Sequence, residues 1–183
     1  MMRKFSVFLL LVSLVYSVSA CGLGTKTHSS EALDVSFEYP FGWSILERQK
    51  YSTIGLATHT ELTAKSAQSA SAFPELFVKG KAIALTLFIT GQVLTLDEYE
   101  AQYPALSKDA LEYVQIGDYY AEYYETTEEL TYDGPQTVIV TLYTFQGPGG
   151  RLMSLRVAAH SSQNEKAQKI ARQVIESLKS FGQ

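Results

Sequence analysis

From Glu112 to His160 the chain reads as one strand after another, joined only by turns. This stretch limits the fold more than any other. Tight turns join antiparallel neighbours, because a parallel return needs a crossover of a dozen or more residues. Val114 to Ile116 and Tyr119 to Thr126 come first. Tyr132-Asp133-Gly134-Pro135-Gln136 is turn chemistry. Val138, Val140 and Leu142 then alternate with Ile139, Thr141 and Tyr143, and Gly147-Pro148-Gly149-Gly150 makes the next connection. Leu152, Ser154 and Arg156 alternate with Met153, Leu155 and Val157. The result is an antiparallel meander.

Strands also precede the meander. Val35, Phe37 and Tyr39 alternate with Ser36 and Glu38, the period of a half-buried strand. Pro40-Phe41-Gly42 breaks it, and Trp43 and Ile45 resume on the far side of a tight turn. Tyr51 to Thr58 reads as a short third strand, and His59 to Lys81 as a long loop with room for a helical turn. Ala82 to Thr90 is nearly continuous in apolar and β-branched residues and reads as a central strand. Thr95 is placed to cap a helix that carries Leu96, Tyr99 and Tyr103 on one face and stops at Pro104. After the meander, Ser162 to Glu165 matches a capping box. Ala167, Ile170, Ala171, Val174, Leu178 and Phe181 form one apolar stripe, with Gly182 as its stop. Trp43 is expected to be buried near this closing helix, with Val174 and Leu178.

The N-terminus has a different character. Arg3 and Lys4 precede fourteen residues without a charge, Phe5 to Val18. A basic start, an apolar run of this length and small residues before a cut site describe a secretory signal peptide over residues 1–20. A membrane-spanning helix needs roughly 20 apolar residues; an uncleaved anchor helix is the alternative. Val18-Ser19-Ala20-Cys21 resembles the bacterial lipobox, in which small residues let the peptidase reach the backbone before a cysteine whose thiolate takes a diacylglyceryl group. Cys21 is the single cysteine of the chain and is expected to be lipidated. One acyl chain such as palmitate gives only marginal membrane binding and stable anchoring takes two signals, which a diacyl or triacyl cysteine supplies. The alternative is an ordinary cleavage site beside a chance cysteine. Gly22 to Ala32 reads as a flexible tether, on the order of 20 Å in root-mean-square span. The domain proper is expected over residues 33–183, with the core stabilised without a disulfide.

Removing residues 1–20 leaves 13 basic residues against 19 acidic, a net charge of −6. An acidic chain without a basic cluster is a poor candidate for nucleic acid or anionic headgroups. Read along the whole chain, the carboxylates are dispersed. His28, His59 and His160 have no metal-ligand spacing, and His160 is better placed to close the junction before the last helix. No Gly-x-Ser-x-Gly element is present. No cofactor and no metal site are expected.

The Tyr39-Pro40-Phe41-Gly42-Trp43 hairpin, the meander, the strand from Leu152 to Ala159 and the closing helix ending in Ser180-Phe181 together resemble the family of the photosystem II extrinsic protein PsbP and its bacterial relatives. The resemblance covers most of Leu33 to Phe181. It implies an α+β fold, an α/β/α sandwich with a central, mainly antiparallel sheet and a C-terminal helix. The same fold serves unrelated roles, including a Ran-GTPase release factor, so it does not give function. Some members support the oxygen-evolving manganese–calcium cluster, and many bacterial relatives are lipoproteins.

Tyr119, Tyr120, Glu122, Tyr123, Tyr124 and Glu125 form the densest alternation of aromatic and acidic groups. Tyr119, Tyr123 and Glu125 share one strand face; Tyr120, Glu122 and Tyr124 share the other. Exposed tyrosines suit partner binding because they bring contact area at low entropy cost. The competing view is that tyrosine is simply a good strand residue with one face in the core. The expected function is a non-enzymatic binding or assembly module, lipid-anchored on the extracytoplasmic side of a bacterial membrane, with an envelope protein as partner. A cation-binding accessory subunit of a membrane complex such as photosystem II is the alternative, favoured if acidic side chains converge on a pocket. A small hydrolase is a weaker one, favoured by a Ser–His contact in a cleft.

Overall fold

The computed structural model describes residues 24–64, 70–90 and 112–183. The signal peptide over residues 1–20, Cys21 and the helix expected between Thr95 and Pro104 lie outside the described residues. Two strands, β1 (Thr25–Ser30) and β2 (Val35–Pro40), form an antiparallel ribbon. Seven more form one sheet: β3 (Ser44–Arg48), β4 (Thr53–Ala57), β5 (Ile83–Ile89), β6 (Glu112–Ile116), β7 (Tyr119–Thr131), β8 (Pro135–Gln146) and β9 (Leu152–His160). Their order across the sheet is β3-β4-β5-β9-β8-β7-β6, and every neighbouring pair is antiparallel. The meander is therefore one half of the sheet, and β5 joins it to the other half by pairing with β9.

The alternation along each strand sorts residues onto two cores. On one face Leu85, Leu87, Tyr143, Phe145, Leu155 and Val157 lie beneath the closing helix α3 (Asn164–Glu176) and the ribbon. Helix α3 contributes Ala167, Ile170, Ala171, Val174 and Ile175 from one stripe. Strand β2 contributes Val35, Phe37 and Tyr39. Fully burying one leucine of this kind stabilises by about 1.5–3 kcal/mol. On the opposite face Ala57, Ala82, Ala84 and Ala158 keep the sheet surface low. The short helices α1 (Thr60–Ala64) and α2 (Pro74–Val78) settle there through Leu62 and Phe77. The architecture is the expected α+β one, with helices on both faces of an antiparallel sheet.

Several expectations are corrected. Thr25–Ser30, read as tether, pairs with β2 from Thr25↔Pro40 to Ser30↔Val35, and Leu33 is already in the core. The His59–Lys81 segment, read as loop, is largely helix packed on the sheet, although residues 65–69 are outside the described set. The capping box at Ser162 does not form. Ser161–Gln163 make a single 3-10 turn, and His160 caps it by accepting from the Ser162 N–H at 3.2 Å. The helix ends at Glu176, so Leu178 fills the last core slot from beyond it, while Phe181 is 44% exposed. Trp43 packs against the core that holds Val174 and Leu178, but only half-buried.

Candidate functional site

Strand β7 places the tyrosine–carboxylate residues, because successive side chains take opposite faces. Tyr119 and Tyr123 face α3. The Tyr119 ring lies 5.5 Å from Phe145, and its hydroxyl donates to the Leu178 carbonyl at 2.8 Å. Tyr123 packs 5.3 Å from Tyr143 and donates to Glu125 Oε2 at 2.8 Å. Burial raises the pKa of Tyr119, Tyr123 and Tyr143. At Tyr123 the hydrogen bond to Glu125 and the charge of that carboxylate push it higher still. Tyr143 donates to Gln168 Oε1, and Gln168 Nε2 donates onward to Thr141 Oγ1 at 2.6 Å and Asn164 Oδ1 at 3.1 Å. The polar groups of this face close on one another and hold α3 to the sheet.

The opposite face is different at the sheet's edge. Tyr120 is 55% exposed and stacks on Tyr113 of β6, itself 47% exposed, with ring centres 5.4 Å apart and planes 5° from parallel. Glu122 lies on the same face but is buried, opposite Tyr113 on one side and Thr144 on the other. Tyr124 is half-buried beside Leu142. Glu125 is exposed, but on the α3 side. The six sequence candidates thus do not gather into one patch. Tyr120 and the half-buried Tyr124 share a surface; Glu125 does not belong to it.

Tyr113 was missed in the sequence. Its signal was the Gly117-Asp118 pair, with Gly117 at φ 56°, which makes a two-residue turn and fixes Ile116 opposite Tyr119. Counting back from that register puts Tyr113 diagonal to Tyr120. A second signal was also missed. Residues 112–146 hold seven carboxylates and no Lys, Arg or His. The remaining residues after position 20 carry thirteen cations against twelve anions. The net negative charge is not dispersed; it belongs to β6, β7 and the turns that follow them.

The two edges of the sheet also differ. Every residue of β3 is half-buried. His28 of β1 donates to Glu47 at 3.2 Å, Arg48 Nη2 donates to the Ala64 carbonyl at 2.6 Å, and the Ser44 and Thr60 hydroxyls meet at 2.9 Å. The ribbon and α1 thus cover that edge. Strand β6 is the other edge among the described residues, and Glu112, Tyr113 and Gln115 are exposed.

An open cleft of about 450 Å³ lies between the ribbon and the end of α3, with Glu38, Glu176, Lys179 and Ser177 on its walls. The Ser177 hydroxyl accepts from the Glu38 N–H at 2.9 Å and donates to the Val174 carbonyl at 3.0 Å, so it is engaged as a helix-end cap. The Ser162 hydroxyl meets His160 Nδ1 at 2.8 Å, but the same nitrogen also takes the Ser162 N–H, so the contact is a local turn. Among the described residues no three His, Cys, Asp or Glu side chains come together to hold a metal ion. Nor is any described helix long and apolar enough to cross a membrane.

No protein-family model matches the chain, and no curated protein matches it in sequence. Solved structures match it in shape. A protein of Bacteroides thetaiotaomicron is 16% identical, with a TM-score of 0.56 over 88% of this chain and 50% of its own, so the chain spans half the length of that structure. LpqN, involved in cell envelope biogenesis of Mycobacterium tuberculosis, is 14% identical with a TM-score of 0.46, covering 86% of this chain and 91% of its own. The cyanobacterial PsbP of Synechocystis is 12% identical with a TM-score of 0.41, covering 88% and 96%. At 16% identity the likeness to the Bacteroides structure is one of fold alone.

Proposed function

We propose that this chain is a non-enzymatic binding or assembly module of the bacterial cell envelope, held at the extracytoplasmic side of a membrane by a lipidated Cys21, and that it engages an envelope protein through the exposed aromatics of β6 and β7. The observation that carries the binding role is the stacked Tyr113–Tyr120 pair. Two large rings lie parallel and half in solvent on the outer face of an edge hairpin. Aromatic anchors of this kind dominate interface energies, while carboxylates around them tune rate and salt dependence. The hydroxyl of Ser177 is occupied by capping bonds and that of Ser162 by a contact within a local turn, which favours binding over hydrolysis at those two places. The sequence Val18-Ser19-Ala20-Cys21 supports the anchor.

Two measurements test this. The intact mass of the wild-type protein should show loss of residues 1–20 and acylation of Cys21, and Cys21→Ser should leave the membrane fraction or remain unprocessed. Cleavage without added acyl mass would sink the anchor. After cross-linking in the native membrane, the partner band should disappear in a Tyr113→Ser/Tyr120→Ser variant of unchanged melting temperature. A partner retained by the folded variant would move the site away from β6 and β7.

A further inference from the structure

Resting on the lipidated Cys21 proposed above and extending it, we infer that the Pro40-Phe41-Gly42-Trp43 turn is a second membrane contact. Phe41 enters the headgroup–acyl boundary of the leaflet that holds the anchor and fixes how the domain lies on it. The first observation is the turn itself. The Trp43 N–H donates to the Pro40 carbonyl at 3.3 Å, and Gly42 has φ 83°. A positive φ at the third residue of such a turn is the type II geometry that favours glycine. It carries Phe41 out at the tip, where the residue is 63% exposed. Trp43 follows, half-buried against the core. A single exposed apolar residue is ordinary; the position of this one is not.

The second observation is where the domain begins. The Phe41 N–H donates to the Gly24 carbonyl at 2.7 Å, and Thr25 pairs with Pro40. Cys21 is three peptide steps before Gly24, a reach of at most about 11 Å. Residues 25–30 are spent in β1 and lend the tether no length. An anchored Cys21 therefore keeps the tip close to its own lipid. Tethering makes insertion intramolecular, so a contact too weak to bind a membrane alone still sets the orientation. The third observation is the chemistry of the tip. Lys26 Nζ lies 4.7 Å from the centre of the Phe41 ring. A ring at the boundary, with a lysine stem beside it and the ammonium reaching back to the phosphates, is an interfacial arrangement, and tryptophan favours the same depth. After residue 20 the chain has 13 basic against 19 acidic residues, which gives no general attraction to anionic headgroups. The contact rests on apolar burial beside the anchor, and zwitterionic lipid is sufficient for it.

Trp43 is the single tryptophan of the chain and reports on the tip. The test uses protein purified with its lipid from native membranes and reconstituted into phosphatidylcholine vesicles that carry a nitroxide near the top of the acyl chain. In parallel, the chain lacking residues 1–20 is coupled through Cys21 to a maleimide lipid in the same vesicles, which supplies an anchor whether or not the cell does. Trp43 fluorescence should be quenched in both preparations, and more strongly than by a nitroxide at the far end of the acyl chain. Phe41→Ser should lose most of the quenching with an unchanged melting temperature. Tyr51→Ser, equally exposed at the opposite end of β3, should keep all of it. Phe41→Trp/Trp43→Phe, which moves the indole to the tip, should be quenched more than wild type and shift its emission to the blue on anchoring. Absent quenching in the coupled protein, or full quenching of folded Phe41→Ser, would overturn the inference. Phe41→Ser that loses the cross-linked partner of the native membrane but keeps its lipid quenching would assign the tip to a protein instead. If native protein carries no acyl mass while the coupled protein behaves as described, the Cys21 anchor falls and the lipid contact of the turn stands. If native protein is acylated and the coupled protein is not quenched, the reverse holds.

Discussion

Glu47 shows how one residue ties the ribbon to the sheet. It sits on β3 and accepts from His28 of β1 at 3.2 Å and from Gln49 Nε2 at 3.0 Å. Burial alone would raise its pKa, but hydrogen bonds from Gln49, Ser30 and His28, with the charge of His28, outweigh it and hold the carboxyl below its ordinary value of 4.5. A carboxylate with a depressed folded-state pKa contributes stability that is fully present above its unfolded pKa and is lost as pH falls through the folded value. The wild-type protein should therefore lose this contribution on acidification below about 4.5. Glu47→Gln should be less stable than wild type at about pH 6 and should approach it near about pH 3. Denaturant unfolding at both pH values measures the difference, and a gap that stays constant would show that the carboxylate charge is not what binds the ribbon.

The hairpin between β8 and β9 makes the corresponding point for an element. Gly147 starts the connection, and its N–H donates to the Arg151 carbonyl at 2.8 Å. A Cβ built there would lie 2.5 Å from Met153 Sδ, and Met153 is fully buried. Gly147→Ala should cost about 1–3 kcal/mol through overpacking, read as a lower melting temperature. Gly147→Ala/Met153→Val should recover part of that loss relative to Met153→Val alone, because the shorter side chain vacates the clash. Strands β2, β8 and β9 and helix α3 were legible because their apolar periods match the faces they bury. Strand β1 was not. Its residues Thr-Lys-Thr-His-Ser-Ser bury only Ser30, so the strand is imposed by the edge of β2 and leaves no period in the sequence. The helices α1 and α2 were hidden for a related reason, since each is five residues long and fixed by one or two side chains such as Leu62 and Phe77. At the candidate site the alternation of β7 was legible, but which face is open was not, because that depends on α3 lying over Tyr119 and Tyr123.

At the scale of the whole molecule, a knot of contacts fastens distant parts of the chain. Arg151 Nη2 donates to the carbonyls of Leu33 at 2.5 Å and Asp34 at 3.1 Å, and Asp34 Oδ1 accepts from the Phe181 N–H at 3.0 Å. The residues after α3 run back along the ribbon, where Ser36 and Lys179 exchange backbone hydrogen bonds. Thr27, near the start of the described residues, and Gln183, at their end, line the same cleft. Architecture and covalent order are therefore separable here. A circular permutant that joins Gln183 to Gly24 through a short glycine–serine bridge and opens the chain at the exposed Asp133-Gly134 turn should keep the native near-ultraviolet circular dichroism and melt within a few degrees of the parent. A permutant that does not fold would show that the β7–β8 hairpin must be continuous for the sheet to assemble. Attachment is separable in the same way: a lipid, a surface or a fusion partner grafted after Gln183 would leash the domain from the same corner as one grafted before Gly24, and the strand edge at β6 would present the same side to its surroundings from either end.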